Sequence, residues 1–237
     1  MNNSKNTDFY FGISDSKIYI CFLESEKNKL KNIVDFGIPD SLSNDLNFKI
    51  ILNLLQKNIR KLEKELDDFI NNGNISIQSK TYQSISFSVK NIFDEMVLNK
   101  EVINKLVRST IQQFHNCEKN LTILHVIINK YIVDDEVYNF FPDYKKFRKI
   151  ILEVEFICLN KNLINKVKKL FNECKIDVKK LVSYEYASKF LGDYKDETLC
   201  VSACKILNGA NKSEVILADN SSKPYVLFDK IFNLFEK

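Results

Sequence analysis

The apolar residues of this chain change their spacing several times along its length, and such a chain has to pack strands and helices in common layers. From Leu46 to Asn72, Phe48, Ile51, Leu52, Leu55, Ile59, Leu62, Leu66 and Phe69 recur at intervals of three and four, with Lys57, Lys61, Lys64 and Asp68 opposite. That spacing predicts a long amphipathic helix, stopped by Asn71-Asn72-Gly73. On either side the period is two. Ile18, Ile20 and Phe22 alternate with Tyr19 and Cys21, so Phe9 to Leu23 reads as two strands around the turn Gly12 to Ser16, and Ile75 to Gln78 as a further short strand. The fold class is therefore α/β, in its mixed α+β form.

A compact block follows in the order strand, helix, strand, strand. Ile85, Phe87 and Val89 alternate, whereas Val102, Ile103, Leu106, Val107, Thr110 and Phe114 form a helical stripe that Asn99 can cap. Leu121 to Val133 is apolar on both faces around Ile123 to Ile128, as a central strand is. Ile150, Leu152, Val154, Phe156 and Cys158 alternate with Glu153 and Glu155. Leu163, Ile164, Val167, Leu170, Phe171 and Cys174 then mark another amphipathic helix, and Lys180 to Val182 begins a strand that returns the chain to the first sheet. Leu199 to Leu207 is a short apolar helix closed by Asn208-Gly209, and residues 210–222 read as a polar linker.

At 237 residues and 45% hydrophobic content the chain can bury one sizeable core or two small ones. Its net charge of +4 comes almost wholly from lysine, with arginine only at Arg60, Arg108 and Arg148. Arginine is the side chain that reads phosphates and base edges bidentately, so no nucleic-acid partner is expected. The six cysteines, Cys21, Cys117, Cys158, Cys174, Cys200 and Cys204, lie mostly in apolar segments without C-x-x-C spacing, and read as buried free thiols in a reducing, cytoplasmic compartment. Met1 to Asp8 lacks the layout of a signal peptide, and no stretch approaches the ~18 apolar residues of a membrane span.

No catalytic constellation stands out, and neither a metal nor a cofactor is expected. Of the two histidines, His115 ends a helix and His125 sits in an apolar strand as a core imidazole. Asp134-Asp135-Glu136 reads as a solvated turn at a strand end. The last fifteen residues carry a clearer signal. Pro224 suits a first helical turn; Leu227, Phe228, Ile231, Leu234 and Phe235 share one stripe, with Asp229, Lys230, Asn233, Glu236 and Lys237 opposite. A helix this short needs an apolar surface to fold against, which either a membrane interface or the protein's own core can supply.

Several of these segments carry a family resemblance. Residues 11–24, FGISDSKIYICFLE, resemble the first phosphate loop of actin-like ATPases, in particular the opening of the bacterial cell-division family FtsA. Residues 123–135, ILHVIINKYIVDD, resemble the I-L-H-V-I-P-x-x-F-I-V-D-G segment of that family. The block from Ser84 to Leu159 is similar to its inserted interaction domain, the 1C or SHS2 module. NLINKVKKLFNECKID with LVSYEYAS resembles the helix and the V-L-E-P-L-A-S stretch that follow the module, and KPYVLFDKIFNLFEK the family's membrane-targeting helix. The resemblance thus divides the chain into residues 1–83 and 160–209 as a 1A-like subdomain, 84–159 as the module, 210–222 as linker and 223–237 as membrane helix.

The same resemblance exposes departures. Gly12 stands where the family has Asp and Ser14 where it has Gly. After Ser188, where a second phosphate loop belongs, GDYKDET leads directly to CVSACKILNG. Five glycines, at 12, 37, 73, 192 and 209, are too few and scattered for two phosphate loops, and the second actin lobe, through which the family binds FtsZ, is not expected. Gly12, Ser14, Asp15, Ser16 and Lys17 therefore read as a degenerate phosphate loop. The resemblance implies a non-catalytic scaffold that binds cell-division proteins, and further copies of itself, through the module. Leu227, Phe228, Lys230, Ile231, Leu234 and Phe235 would hold it at the cytoplasmic face of the inner membrane. Two alternatives stand beside this reading: a residual or split-site actin-like ATPase using Asp15, Ser16 and Lys17, and a pilus-assembly-type interaction protein of the same superfamily.

Overall fold

A computed structural model describes residues 8–24, 29–38, 45–143, 146–190 and 199–215. The chain divides into two compact units, the first built from Met1–Tyr82 with Leu159–Ala210 and the second from Gln83–Cys158 with Asn211–Lys237.

Unit 1 is a five-stranded sheet with helices on both faces. Its strands are β1 (Phe9–Ile13), β2 (Lys17–Glu24), β3 (Lys29–Gly37), β4 (Asn72–Ile77) and β9 (Asp177–Ser183), in the order β3-β2-β1-β4-β9. β1, β2 and β3 run antiparallel, whereas β1, β4 and β9 are parallel. The parallel pairs require crossovers, and α1 (Asp45–Leu66) and α3 (Lys161–Glu173) lie within them. Successive residues of β1 point to opposite faces. Phe11 stacks edge-on against Phe171 of α3, with ring centroids 4.8 Å apart, while Gly12 faces Leu199 of α5 (Leu199–Leu207). A one-turn helix α4 (Tyr184–Ala187) follows β9.

Unit 2 is a four-stranded sheet, β5-β8-β6-β7, with β5 (Gln83–Val97), β6 (Leu121–Val133), β7 (Glu136–Tyr138) and β8 (Lys146–Asn160), the last crossing into unit 1 at its end. α2 (Lys100–Cys117) closes one face. Asn99 caps it as expected, its side-chain oxygen accepting the Val102 N–H at 3.0 Å. Val102, Ile103, Leu106, Val107 and Phe114 share a core with Leu152, Val154 and Phe156 of β8 and with Ile85, Phe87 and Val89 of β5.

The α/β class and nearly every expected element are present, with four corrections. Glu136, expected within a solvated turn, opens the three-residue strand β7, so the block expected to hold three strands holds four; so short a strand carries too few residues to show a period. Residues 29–37, for which the spacing predicts no element, form edge strand β3. An edge strand needs apolar residues on one face only, and here Asp35 is exposed, so its signal is weak. α1 stops at Leu66 rather than at Asn71, because Asp67 enters the left-handed region (φ 50°) and Asp68 N–H reaches back to the Glu63 carbonyl at 3.2 Å. Phe69, placed by periodicity on the buried stripe, is 75% exposed. Residues 211–215 are not the start of a free linker. They lie along β6, with Ile128 N–H donating to Ser213 O at 2.9 Å and Val215 N–H to Val126 O at 2.7 Å.

α3 and α5 end alike. Ile176 N–H donates to Phe171 O (3.0 Å) and Lys175 N–H to Asn172 O (2.9 Å); Ala210 N–H donates to Lys205 O (3.1 Å) and Gly209 N–H to Ile206 O (2.9 Å). Both are Schellman closures, which place one residue at positive φ. Gly209 takes φ 82° freely, but Lys175 takes φ 61° against the clash of its own Cβ. Lys175→Gly is therefore expected to stabilise the protein by about 1 kcal/mol, read as a higher urea midpoint with unchanged slope.

Candidate functional site

Gly12, Ser14, Asp15, Ser16 and Lys17 meet in the turn joining β1 to β2, where Ile13 pairs with Ile18. The turn is held by its own serine. Ser14 N–H donates to Lys17 O at 2.9 Å, and the Ser14 hydroxyl accepts Lys17 N–H at 2.9 Å and Ser16 N–H at 3.4 Å. A phosphate cradle needs several backbone amides converging on one empty point. Here those of Ser14, Ser16 and Lys17 are already directed into the turn. The charges are engaged as well: Lys17 Nζ lies 3.3 Å from Asp35 Oδ2, and Lys80 Nζ lies 3.0 Å from Asp15 Oδ2.

Gly12 has a different reason to lack a side chain. A Cβ there would stand 2.7 Å from Leu199 Cβ, so glycine at this position lets α5 lie directly on β1. Gly73, expected to stop α1, likewise sits beneath the Phe11 ring, where a Cβ would come within 2.5 Å. Two of the five glycines thus serve helix and ring packing.

In unit 2, the turn Asp134-Asp135 joins β6 to β7 with both residues at positive φ, 47° and 72°. The Asp134 carboxylate accepts the backbone N–H of Lys149 at 2.8 Å and of Arg148 at 3.1 Å, Asp135 pairs with the Lys149 ammonium, and Glu136 accepts the Tyr138 hydroxyl. These carboxylates hold a hairpin in place. Among the described residues no group of three His, Cys, Asp or Glu side chains could hold a metal ion.

His125 is 4% exposed, and its Nδ1 lies 2.6 Å from Glu214 Oε1. The imidazole is satisfied within the core as expected, but by a partner 89 positions later, for which no local sequence signal exists. The contact fastens residues 211–215 to β6. His115 is exposed on α2.

Four thiols are buried as expected, at Cys21, Cys158, Cys200 and Cys204; Cys174 is half-buried and Cys117 exposed. Burial, aided by the Glu118 charge, pushes the Cys158 thiol up to about 12, and burial with the neighbouring Cys21 raises that of Cys200. Thiols held protonated in this way are poor nucleophiles. The unfolded chain releases these protons first. The stability they contribute is therefore full below the ordinary thiol value of 9.0 and is lost as pH rises towards 12. Raising the pH from 7.5 to 10 under reducing conditions should lower the unfolding free energy by about 1 kcal/mol through Cys158 alone, and Cys158→Ala should show a correspondingly smaller drop in urea titrations at the two pH values.

The expected membrane-binding residues Leu227, Phe228, Lys230, Ile231, Leu234 and Phe235 lie outside the described residues. No described helix is long and apolar enough to cross a membrane.

No family model and no curated protein matches the chain. Among solved structures, the PilM-PilN type IV pilus biogenesis complex matches 77% of this chain and 49% of its own at 8% identity and a TM-score of 0.47. A protein with actin-like ATPase fold and unknown function from Bacteroides thetaiotaomicron matches 79% of this chain and 57% of its own at 13% identity and a TM-score of 0.32. The chain thus has an actin-like protein among its structural neighbours and spans about half the length of the solved structures it matches.

Proposed function

We propose that this chain is a non-catalytic, FtsA-like scaffold of the cell-division machinery. Unit 2 holds partner proteins or further copies of the chain, and the segment 223–237 attaches it to the cytoplasmic face of the membrane. The observation that carries the non-catalytic part is the closed β1–β2 turn: three of its amides and both of its charged side chains are engaged by the protein itself. Supporting the scaffold part is the presence of a separate unit with its own helix-covered sheet within a chain that returns to the first sheet on either side. The membrane part rests on the sequence stripe of Leu227, Phe228, Ile231, Leu234 and Phe235.

Two measurements test this. Calorimetric titration with Mg-ATP should show no binding; micromolar affinity would favour the split-site ATPase instead. Flotation with liposomes should carry the wild-type chain, and Phe228→Asp with Phe235→Asp should leave it in the dense fraction. Equal flotation of the two, or of neither, removes the membrane anchor.

A further inference from the structure

The net charge of the chain is localised. The segments that make up unit 2 hold fourteen cations and fourteen anions, whereas α1 carries five cations against three anions and α3 four against one. These helices lie side by side, joined where Gln56 Nε2 donates to the Glu173 carbonyl at 3.2 Å and where the Lys169 ammonium sits 5.5 Å from the Phe48 ring centre. All of the excess of four positive charges is therefore found on unit 1, and these two helices outweigh it.

On α1 the cations fall on one face. Asn53, Lys57, Arg60, Lys61 and Lys64 follow helical spacing and, with Gln56, line an open depression of about 420 Å³. Lys61 pairs loosely with Glu65 at 3.7 Å, and among the described residues Lys57, Arg60 and Lys64 form no ion pair. Ile50 begins the same stripe and is 41% exposed. No carboxylate interrupts it between Leu46 and Leu62.

We infer that this α1 face, flanked by the lysines of α3, is a docking surface for an anionic lipid bilayer. Charge complementarity argues for a lipid occupant. Lysine-rich, arginine-poor surfaces act as diffuse point charges, which suits a fluid array of headgroup phosphates better than the bidentate geometry of one fixed site. The binding of an amphipathic segment grows with its buried apolar area and with electrostatic attraction to anionic lipids, so a basic patch elsewhere on the chain adds what a weakly basic segment supplies only in part. The inference rests on the membrane reading above and names a second contact for it.

The test is flotation of the full chain with vesicles of phosphatidylcholine alone or with 30% phosphatidylglycerol. Two variants are compared: Lys57→Glu with Arg60→Glu, Lys61→Glu and Lys64→Glu, and Phe228→Asp with Phe235→Asp. Circular dichroism checks that each remains folded, and charge reversal at Lys100, Lys105, Arg108 and Lys119 of unit 2 serves as a control. The α1 variant should bind anionic vesicles about tenfold or more weakly than the wild type, and its residual binding should be insensitive to salt, while the unit 2 control binds as the wild type does. An α1 variant that matches the wild type in affinity and salt dependence while the Phe variant falls overturns this inference and leaves the anchor standing. The reverse pattern overturns the anchor and keeps the α1 face. Wild-type binding to polyglutamate but to no vesicle overturns both and makes the face a site for an acidic protein segment.

Discussion

Replacing Gly12 with alanine is expected to lower the unfolding free energy by about 1–3 kcal/mol while leaving Mg-ATP titrations as flat as those of the wild type. The added methyl would stand 2.7 Å from Leu199 Cβ, 3.4 Å from the Tyr19 ring and 3.5 Å from Cys200 Sγ. Relief is difficult. Cys200 is buried against β1, its thiol 3.4 Å from the Tyr10 carbonyl, so α5 cannot lift without exposing that contact. A double-mutant cycle identifies the cause: in a Leu199→Gly background, where the opposing Cβ is gone, Gly12→Ala should cost measurably less than it does alone. If instead Gly12 is required so that backbone can approach phosphate, the substitution leaves stability unchanged and abolishes a nucleotide affinity that the wild type must then possess. Urea midpoints for the four proteins, with one calorimetric titration, separate the two accounts.

The same glycine shows where the sequence was legible. Gly12-Ile13-Ser14-Asp15-Ser16-Lys17 announces a turn, and a turn forms between the expected strands. What it is for depends on α5, almost two hundred residues later, and on Asp35 and Lys80, whose approach no local pattern encodes. Strands with one buried face and helices with an apolar stripe were readable because burial imposes a period on the residues that undergo it. Edge strand β3 imposes little period, and Glu214 none at all. Glycine-based stops were over-read: Asn72-Gly73 belongs to β4, where the missing Cβ makes room for Phe11, while Asp67 and Lys175 close their helices at positive φ without glycine. Such closures are set by the hydrogen bonds that the last turn can make, and those bonds accept an unfavourable residue when packing beyond the helix requires the chain to turn there. The basic face of α1 was visible only as the polar half of an amphipathic helix. Its meaning emerges once α3 brings its own lysines alongside it.

Phe156→Ala should cause the larger loss, about 3–5 kcal/mol, and the missing protection should fall on the amides of unit 2. Phe156 is fully buried, and its ring centre lies 5.2 Å from that of Phe87 and 5.4 Å from that of Phe114; Phe87 and Phe114 are themselves 6.0 Å apart. Three rings from β5, α2 and β8 therefore meet at one point, two of the pairs in edge-on geometry. Truncating the ring removes its transfer energy and leaves a hole that Phe87, half-buried beneath β5, cannot fill without leaving β8. Phe156→Leu retains much of the volume and should cost about 1–2 kcal/mol. Hydrogen exchange is the discriminating measurement, because opening should be fastest in residues 83–97, 100–117 and 146–158, the segments that supply the rings. A Phe156→Ala protein within about 1 kcal/mol of the wild type would mean that the three aromatics do not hold this sheet and helix together, and a unit without that core has no fixed surface with which to hold a partner.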